Sequence, residues 1–236
     1  MELSPKLLLT GACVLALIGC SPAPVDRPYS RTGELLALSG GDGGPQAACH
    51  ICHGMQGEGD GDLTPRLAGI ERGYLTRQMN FFADGLRNHA QMHWIAKRLT
   101  PAEQELVAGY YADMAFQAPP APASTTCDAR AAAIYHQGDP ARGMASCASC
   151  HGDAGEGIGR GNPAIAGQPA RYIAHQLTQW REGKRYGDPQ GAMLAAARLL
   201  REDEIEAVAV YSASLRGSPG DPGSPAECPP PHRPDR

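Results

Sequence analysis

The chain has 236 residues and carries 21 basic against 25 acidic side chains, a formal net charge of −4. That balance argues against a polyanion-binding surface, so no nucleic-acid partner is expected. The length holds one large domain or two small ones, and 29 Gly with 21 Pro exclude compact elements throughout. Only 3 Phe and 2 Trp are present to fill a core with large rings, a deficit that a bulky cofactor could make up.

In chain order, residues 1–20 come first: one Lys6, an apolar run over 7–18, and the ending Leu17-Ile18-Gly19-Cys20. A dozen apolar residues fall short of the roughly 20 needed to span a bilayer, so the segment reads as a signal-peptide core. It resembles a bacterial lipoprotein signal, in which cleavage leaves Cys20 as an acylated N-terminus. The expectation is a periplasmic protein tethered to a membrane through lipidated Cys20, in a compartment where disulfides persist. Cys13 would leave with the signal.

Residues 31–116 form a first repeat. It opens on a glycine-rich stretch, Gly40-Gly41-Asp42-Gly43-Gly44-Pro45, then carries Cys49-His50-Ile51-Cys52-His53. Leu75, Gln78, Met79 and Phe82 recur at three- and four-residue steps, which predicts a helix over 74–85 stopped by Gly85. Thr100-Pro101-Ala102-Glu103 has a capping-box threonine, proline at the first helical position and glutamate at the third, and predicts a helix through Met114.

The Pro- and Ala-rich joint at 117–126 predicts a semi-rigid extended spacer. Residues 127–216 then repeat the first set. Cys147-Ala148-Ser149-Cys150-His151 lies 98 residues after the first motif, and the same offset pairs Gly57 with Gly155, Pro65 with Pro163, Tyr74 with Tyr172, Gln78 with Gln176 and Arg87 with Arg185. Beyond a three-residue insertion the offset is 101, which pairs Met92 with Met193, Leu99 with Leu200, Glu103 with Glu204 and Tyr110 with Tyr211. Helices are predicted over 172–183 and from near Arg201 to Leu215, the latter without a good cap but with Glu202, Asp203 and Glu204 at the positive end of its dipole. A period near 100 residues with a complete motif set in each copy means duplicated domains. No stretch alternates as a strand should, so the fold class is all-α: two tandem domains of a few helices each, with long Gly-rich loops. The first repeat holds 7 basic and 10 acidic residues and the second 10 and 10. The tail, 217–236, is too rich in Pro and Gly to pack.

Two thiols three positions apart can each form a thioether to a haem vinyl group, and the next histidine then sits under the iron. Cys49 and Cys52 with His53, and Cys147 and Cys150 with His151, are therefore the candidate attachment and ligand sets for two covalent c-type haems. A four-thiolate zinc site would leave the repeated Pro and Met positions unexplained, and a redox dithiol needs a βαβ setting that neither repeat shows. The sixth ligand should recur in both repeats, and Met92 and Met193 do, 39 residues after His53 and 42 after His151. His89 and His93 flank Met92 without counterparts in the second repeat and are the alternative there. Met55, Met79, Met114 and Met144 have no methionine partner across the repeat and are expected to pack as filler.

These features together resemble the dihaem class I cytochromes c, specifically cytochrome c4. The resemblance covers about residues 34–216 and rests on CHGxxGEG (52–59 and 150–157), LAG or IAG (67–69 and 165–167), the Tyr, Gln, Gly and Arg that follow, the distal Met, and a last helix bearing Tyr110-Tyr111 or Tyr211. It implies that each domain wraps one haem between an N-terminal, a middle and a C-terminal helix, and that Pro65 and Pro163 offer backbone carbonyls to the second nitrogen of the proximal histidines. It further implies an electron carrier, not an enzyme, whose partners are redox proteins such as a respiratory complex and a terminal oxidase. A dihaem peroxidase, or a haem subunit of a membrane dehydrogenase complex, is the alternative. Two departures stand out: the glycines at 40–44 should shorten or break the N-terminal helix of the first domain, and the lipoprotein-type signal and Pro-rich tail are not general to the family. Cys127 and Cys228 bracket the second domain outside any haem motif and could pair in an oxidising compartment.

Overall fold

The computed structural model describes residues 31–116, 128–188 and 190–217. The spacer at 117–126, the tail beyond Gly217, Cys20 and the Cys127–Cys228 pairing lie outside the described residues. Among those described the chain is all-α, with three isolated β-bridges and no strand. No helix among them is long and apolar enough to cross a membrane.

The first half contains α1 (Gly33–Ser39), α2 (His50–His53), α3 (Arg72–Ala83), α4 (Ala90–Ala96) and α5 (Pro101–Ala112); the second contains α6 (Ala129–Gln137), α7 (Ala148–His151), α8 (Ala170–Arg181), α9 (Ala192–Leu199) and α10 (Glu202–Ser214). Local chemistry sets the ends. Thr32 caps α1 by accepting the Leu35 N–H at 3.1 Å, and Gly40, at φ 78°, ends the helix after seven residues. The chain then passes through two 3₁₀ turns, Gly41–Gly43 and Pro45–Ala47, so the break expected from the glycine run is there. The capping box of α5 is complete: Glu103 accepts the Thr100 N–H at 2.8 Å and donates its own N–H to Thr100 Oγ1 at 3.3 Å. At α10 only half of such a box exists, with Glu204 accepting the Arg201 N–H at 2.8 Å. Helices α3 and α8 begin two residues before the predicted starts; in α3 this is because the Glu71 carboxylate accepts the Tyr74 N–H at 2.8 Å.

In each half the first and middle long helices pack on the last one, α1 and α3 on α5, α6 and α8 on α10, while α4 and α9 pack against α3 and α8. The repeat is not a copy in its packing. In the first half α1 buries Ala37 and α5 buries Tyr111, whereas the equivalent positions in the second half hold Tyr135 on α6 and Ser212 on α10, all four at most 1% exposed. The large ring has changed helices and the small residue has changed with it, which conserves core volume. Of the unmatched methionines, Met144 is buried and Met79 and Met114 lie against the first-half core. Met55 departs from expectation: it is 58% exposed, on the turn after α2 where nothing packs over it.

The described residues fall in one compact unit. Phe116 packs against the second-half core and stacks under the Arg66 guanidinium at 3.8 Å. Gln168 grips the Arg66 backbone in both directions, accepting its N–H at 3.0 Å and donating to its carbonyl at 2.8 Å. Asp62 pairs with Arg171 at 2.7 Å across the same junction.

Candidate functional site

Each CxxCH motif forms a single helical turn, α2 or α7, and the loop after it is built by the CHGxxGEG residues. Gly54 and Gly152 sit at φ 81° and 83°, where a Cβ would lie 2.2 Å from the carboxylate of Glu58 or Glu156. Those carboxylates in turn accept the N–H of Gln56 and Ala154 at 2.9 Å, and the N–H groups of Gly59 and Gly157 close back on the His53 and His151 carbonyls at 2.8 and 2.7 Å. The turn therefore requires glycine and glutamate at those places in both halves.

This loop carries Pro65 and Pro163 to the histidines. Nδ1 of His53 lies 2.9 Å from the Pro65 carbonyl and Nδ1 of His151 lies 2.8 Å from the Pro163 carbonyl. A carbonyl can only accept, so each Nδ1 carries the proton and each Nε2 is left with a free lone pair. Burial pushes both imidazoles below their ordinary value, against the pull of the proline carbonyl, and keeps them neutral. A neutral imidazole with an oriented, unprotonated Nε2 is a metal ligand. Burial also pushes the Cys49 and Cys147 thiols up to about 11, the opposite of what a redox dithiol needs.

All ten residues singled out in the sequence (Cys49, Cys52, His53, Pro65, Met92, Cys147, Cys150, His151, Pro163 and Met193) line one continuous cavity of about 900 Å³ that runs through both halves. Met92 and Met193 stand in the first turns of α4 and α9. Each has its backbone N–H taken by an upstream side chain: His89 Nδ1 accepts from Met92 at 3.2 Å, and Asp188 accepts from Met193. His89 thus spends Nδ1 on the cap, and His93 holds the Phe82 carbonyl through its own Nδ1 at 2.7 Å and does not line the cavity.

The cavity suits a large, flat, mostly apolar group with anionic substituents. Its walls include Ile70, Leu75, Phe82, Ile95, Leu99, Ile173, Leu177, Trp180 and Leu200, and Tyr111 Oη and Arg185 Nε are buried there without a protein partner. Five cationic side chains line it, Arg66, Arg77, Arg87, Lys184 and Arg185, against one carboxylate, Asp188. Two thioether-forming cysteines and one available imidazole nitrogen per half complete the fit to a covalent haem.

Sequence reasoning missed how the repeated Tyr, Gln and Arg are used. Arg87 donates to Gln78 Oε1 at 2.9 Å in its own half and to Tyr172 Oη at 3.0 Å and Gln176 Oε1 at 2.9 Å in the other. Arg185 answers with Gln176 Oε1 at 2.8 Å and Tyr74 Oη at 2.8 Å, and the backbones of Arg87 and Arg185 form an antiparallel bridge. The signal was the recurrence of all three residue types at one offset; only their reciprocal exchange across the halves needed the fold. Burial would raise the Tyr172 phenol, but the two guanidiniums outweigh it and hold the group below its usual value.

The model of the family described as cytochrome c matches residues 129–216. The thiosulfate dehydrogenase electron acceptor of Thiomonas intermedia is 39% identical over 74% of this chain and 82% of its own length. The cytochrome c4 of Pseudomonas aeruginosa is 32% identical over 89% of this chain and 98% of its own. Among solved structures, a thiosulfate dehydrogenase from Marichromatium purpuratum superposes with a TM-score of 0.69 at 39% identity, over 78% of this chain but 40% of that longer one. With its helical halves, its paired CxxCH turns and this similarity, the chain belongs to the cytochrome c4 family of dihaem class I cytochromes c, electron carriers with two covalently attached haems.

Proposed function

We propose that each half would hold its haem with four residues: Cys49 and Cys52 as attachment points with His53 and Met92 as iron ligands, and Cys147 and Cys150 with His151 and Met193. The supporting observation is the tautomer lock, in which the Pro65 and Pro163 carbonyls leave Nε2 as the free nitrogen of each proximal histidine. The haem irons supply one-electron redox chemistry. The chain's own residues orient the imidazoles, present the thioethers from capped helix ends, and exclude water with apolar walls. With a histidine and a methionine both available in each half, the group held there would pass electrons without an open position for small molecules, which supports a carrier and not a peroxidase. Of the competing ligands in the first half, His89 lines the cavity but spends Nδ1 on the α4 cap, and His93 holds the Phe82 carbonyl from outside the cavity lining.

Removing one methionine at a time tests the assignment. The oxidised, haem-loaded protein should show a methionine-to-ferric-iron charge-transfer band in the near infrared, and Met92→Ala and Met193→Ala should each abolish about half of it. A band insensitive to Met92→Ala would return the first half to a histidine ligand or an open iron.

The relatives support a specific electron donor. Two of them, 39% and 36% identical, are thiosulfate dehydrogenase electron acceptors, and this chain is proposed to accept electrons from a dehydrogenase of that kind and pass them toward a terminal oxidase. The site of action is the periplasm, with Cys20 as the lipid anchor. Mixing the oxidised protein with a thiosulfate dehydrogenase and thiosulfate should reduce both haems within the turnover time of the enzyme. Reduction no faster than with thiosulfate alone would remove this donor.

A further inference from the structure

The two methionines are held in place differently. In the first half His89 caps α4 and accepts the Met92 N–H at 3.2 Å, so this residue is fixed from within its own half. In the second half α9 starts after Gly191, which has no side chain to cap with, and Asp188 takes over that role. One oxygen of its carboxylate accepts the Met193 N–H and the other the Gln190 N–H at 3.2 Å, while its backbone carbonyl accepts the Gly191 N–H at 3.0 Å. The position of Asp188 therefore sets where α9 and Met193 begin. Asp188 follows Gly187, whose φ of 112° suits glycine alone. With Gly187 and Gly191 both at positive φ, this stretch has little local preference for its shape and needs a contact to select it. That contact comes from the other half. The Phe81 ring, on α3, lies so close to Gly187 that a Cβ there would sit 2.3 Å from Phe81 Cε2 and 2.8 Å from Cδ2. Phe81 does not line the cavity; it meets the segment that leads to Met193 and not the space a haem would fill. The repeat gives no such ring in return. Gln179 stands where Phe81 does, its carbonyl accepting the Arg185 N–H at 3.2 Å as the Phe81 carbonyl accepts that of Arg87 at 2.9 Å.

We propose that Phe81 is a positioning residue for the methionine of the second half: its ring, supplied by the first half, packs on Gly187, keeps Asp188 in place, and through the Asp188 carboxylate fixes Met193 as an iron ligand. This rests on the histidine-and-methionine reading above. The brace runs one way. Met92 is capped from within its own half, whereas Met193 depends on a contact from across the junction, so a disturbance of the junction at Phe81 reaches one iron and not the other.

The test uses the full haem-loaded chain. Met92→Ala isolates the methionine-to-ferric-iron band of Met193; if no band remains there, Met193 is not a ligand and the reading beneath this proposal falls. With that band present, Phe81→Ala is added to Met92→Ala and, separately, to Met193→Ala. Phe116→Ala is the matched control, a ring of the same junction that packs on Arg66 and the second-half core instead. In the Met92→Ala background, Phe81→Ala should weaken the band and make it vanish on heating well before the helices melt by far-ultraviolet circular dichroism. The midpoint potential of that haem should fall as well, because methionine ligation is what raises it. In the Met193→Ala background the band, now that of Met92, should not move. Phe81→Leu refills part of the contact and should recover part of the loss. A Met193 band equally strong and equally heat-stable in Phe81→Ala and Phe116→Ala, or the same loss in both methionine backgrounds, would reduce Phe81 to a packing residue of the junction. If Phe81→Ala does not take up two haems, Phe81→Leu against Phe116→Leu decides: a weaker Met193 band in the first supports the role, and equal bands overturn it.

Discussion

Glu204 shows how a single residue can anchor a half of this molecule. Its carboxylate is 2% exposed and receives Arg130, Arg142 and Arg201, at 2.5, 2.8 and 2.9 Å, besides the Arg201 N–H that opens α10. Burial alone would raise this carboxyl; the hydrogen bonds from Arg142 and Arg130 outweigh it and hold the group below the usual 4.5. A folded value below the unfolded one means the stabilisation is complete above about pH 4.5 and is lost as pH falls through the lowered value. Because the arginines keep part of their hydration, the expected cost of Glu204→Gln is about 2 kcal/mol at neutral pH, the scale of a charged hydrogen bond. Thermal unfolding should show the gap between variant and wild type closing as the solution is taken toward pH 3. A gap that stays constant would mean the carboxylate charge is not what Glu204 contributes. Glu204 was legible in the sequence as a repeat partner of Glu103 and as a helix-start acid; its three arginines, brought from α6, the 140–142 turn and the α10 cap, were not.

At the scale of elements, the exchange of Ala37 and Tyr111 for Tyr135 and Ser212 says that the packing of the first helix on the last is conserved by volume and not by residue. Tyr135 also donates to the Gly152 carbonyl at 2.8 Å, so in the second half α6 braces the loop after the haem motif, whereas in the first half Tyr111 approaches the equivalent loop at Gly57 from α5. Ala37→Tyr alone should overpack the α1–α5 contact and cost about 1–3 kcal/mol. Adding Tyr111→Ser should recover much of that, giving a favourable coupling in a double-mutant cycle followed by denaturant unfolding. Additive losses would show that the two helices do not share one packing site. Four helices could be read directly, because α3 and α8 carry their periodicity, α5 its capping box and α10 its N-terminal acids locally. The four-residue turns α2 and α7 could not, since their helical form depends on the glycine loop that folds back onto them.

For the whole molecule, the two halves are not independent beads. The Arg66–Gln168 pair, the Asp62–Arg171 ion pair and the Arg–Tyr exchange all cross the junction, so the two haems are expected to sit in one structural unit with a fixed mutual placement. Such a unit suits an electron carrier. If the proposed anchor is correct, Cys20→Ser will move the protein from the membrane fraction to the soluble periplasmic fraction without altering its visible spectrum. Retention of Cys20→Ser in the membrane fraction would assign the association to another part of the chain or to a bound partner.

The residues that the proposed haem chemistry calls on could be read within each half from the chain alone. The cysteine spacing, the histidine that follows, the proline twelve residues on and the recurring methionine are covalent and local facts, and duplication made each of them visible twice. The tertiary structure alone decided what the halves do to each other. Arg87 and Arg185 are far apart in the chain and look like ordinary surface cations until the fold buries them side by side. Their meaning depends on burial and on the tyrosines facing them, which are properties of a packed junction and not of any stretch of sequence.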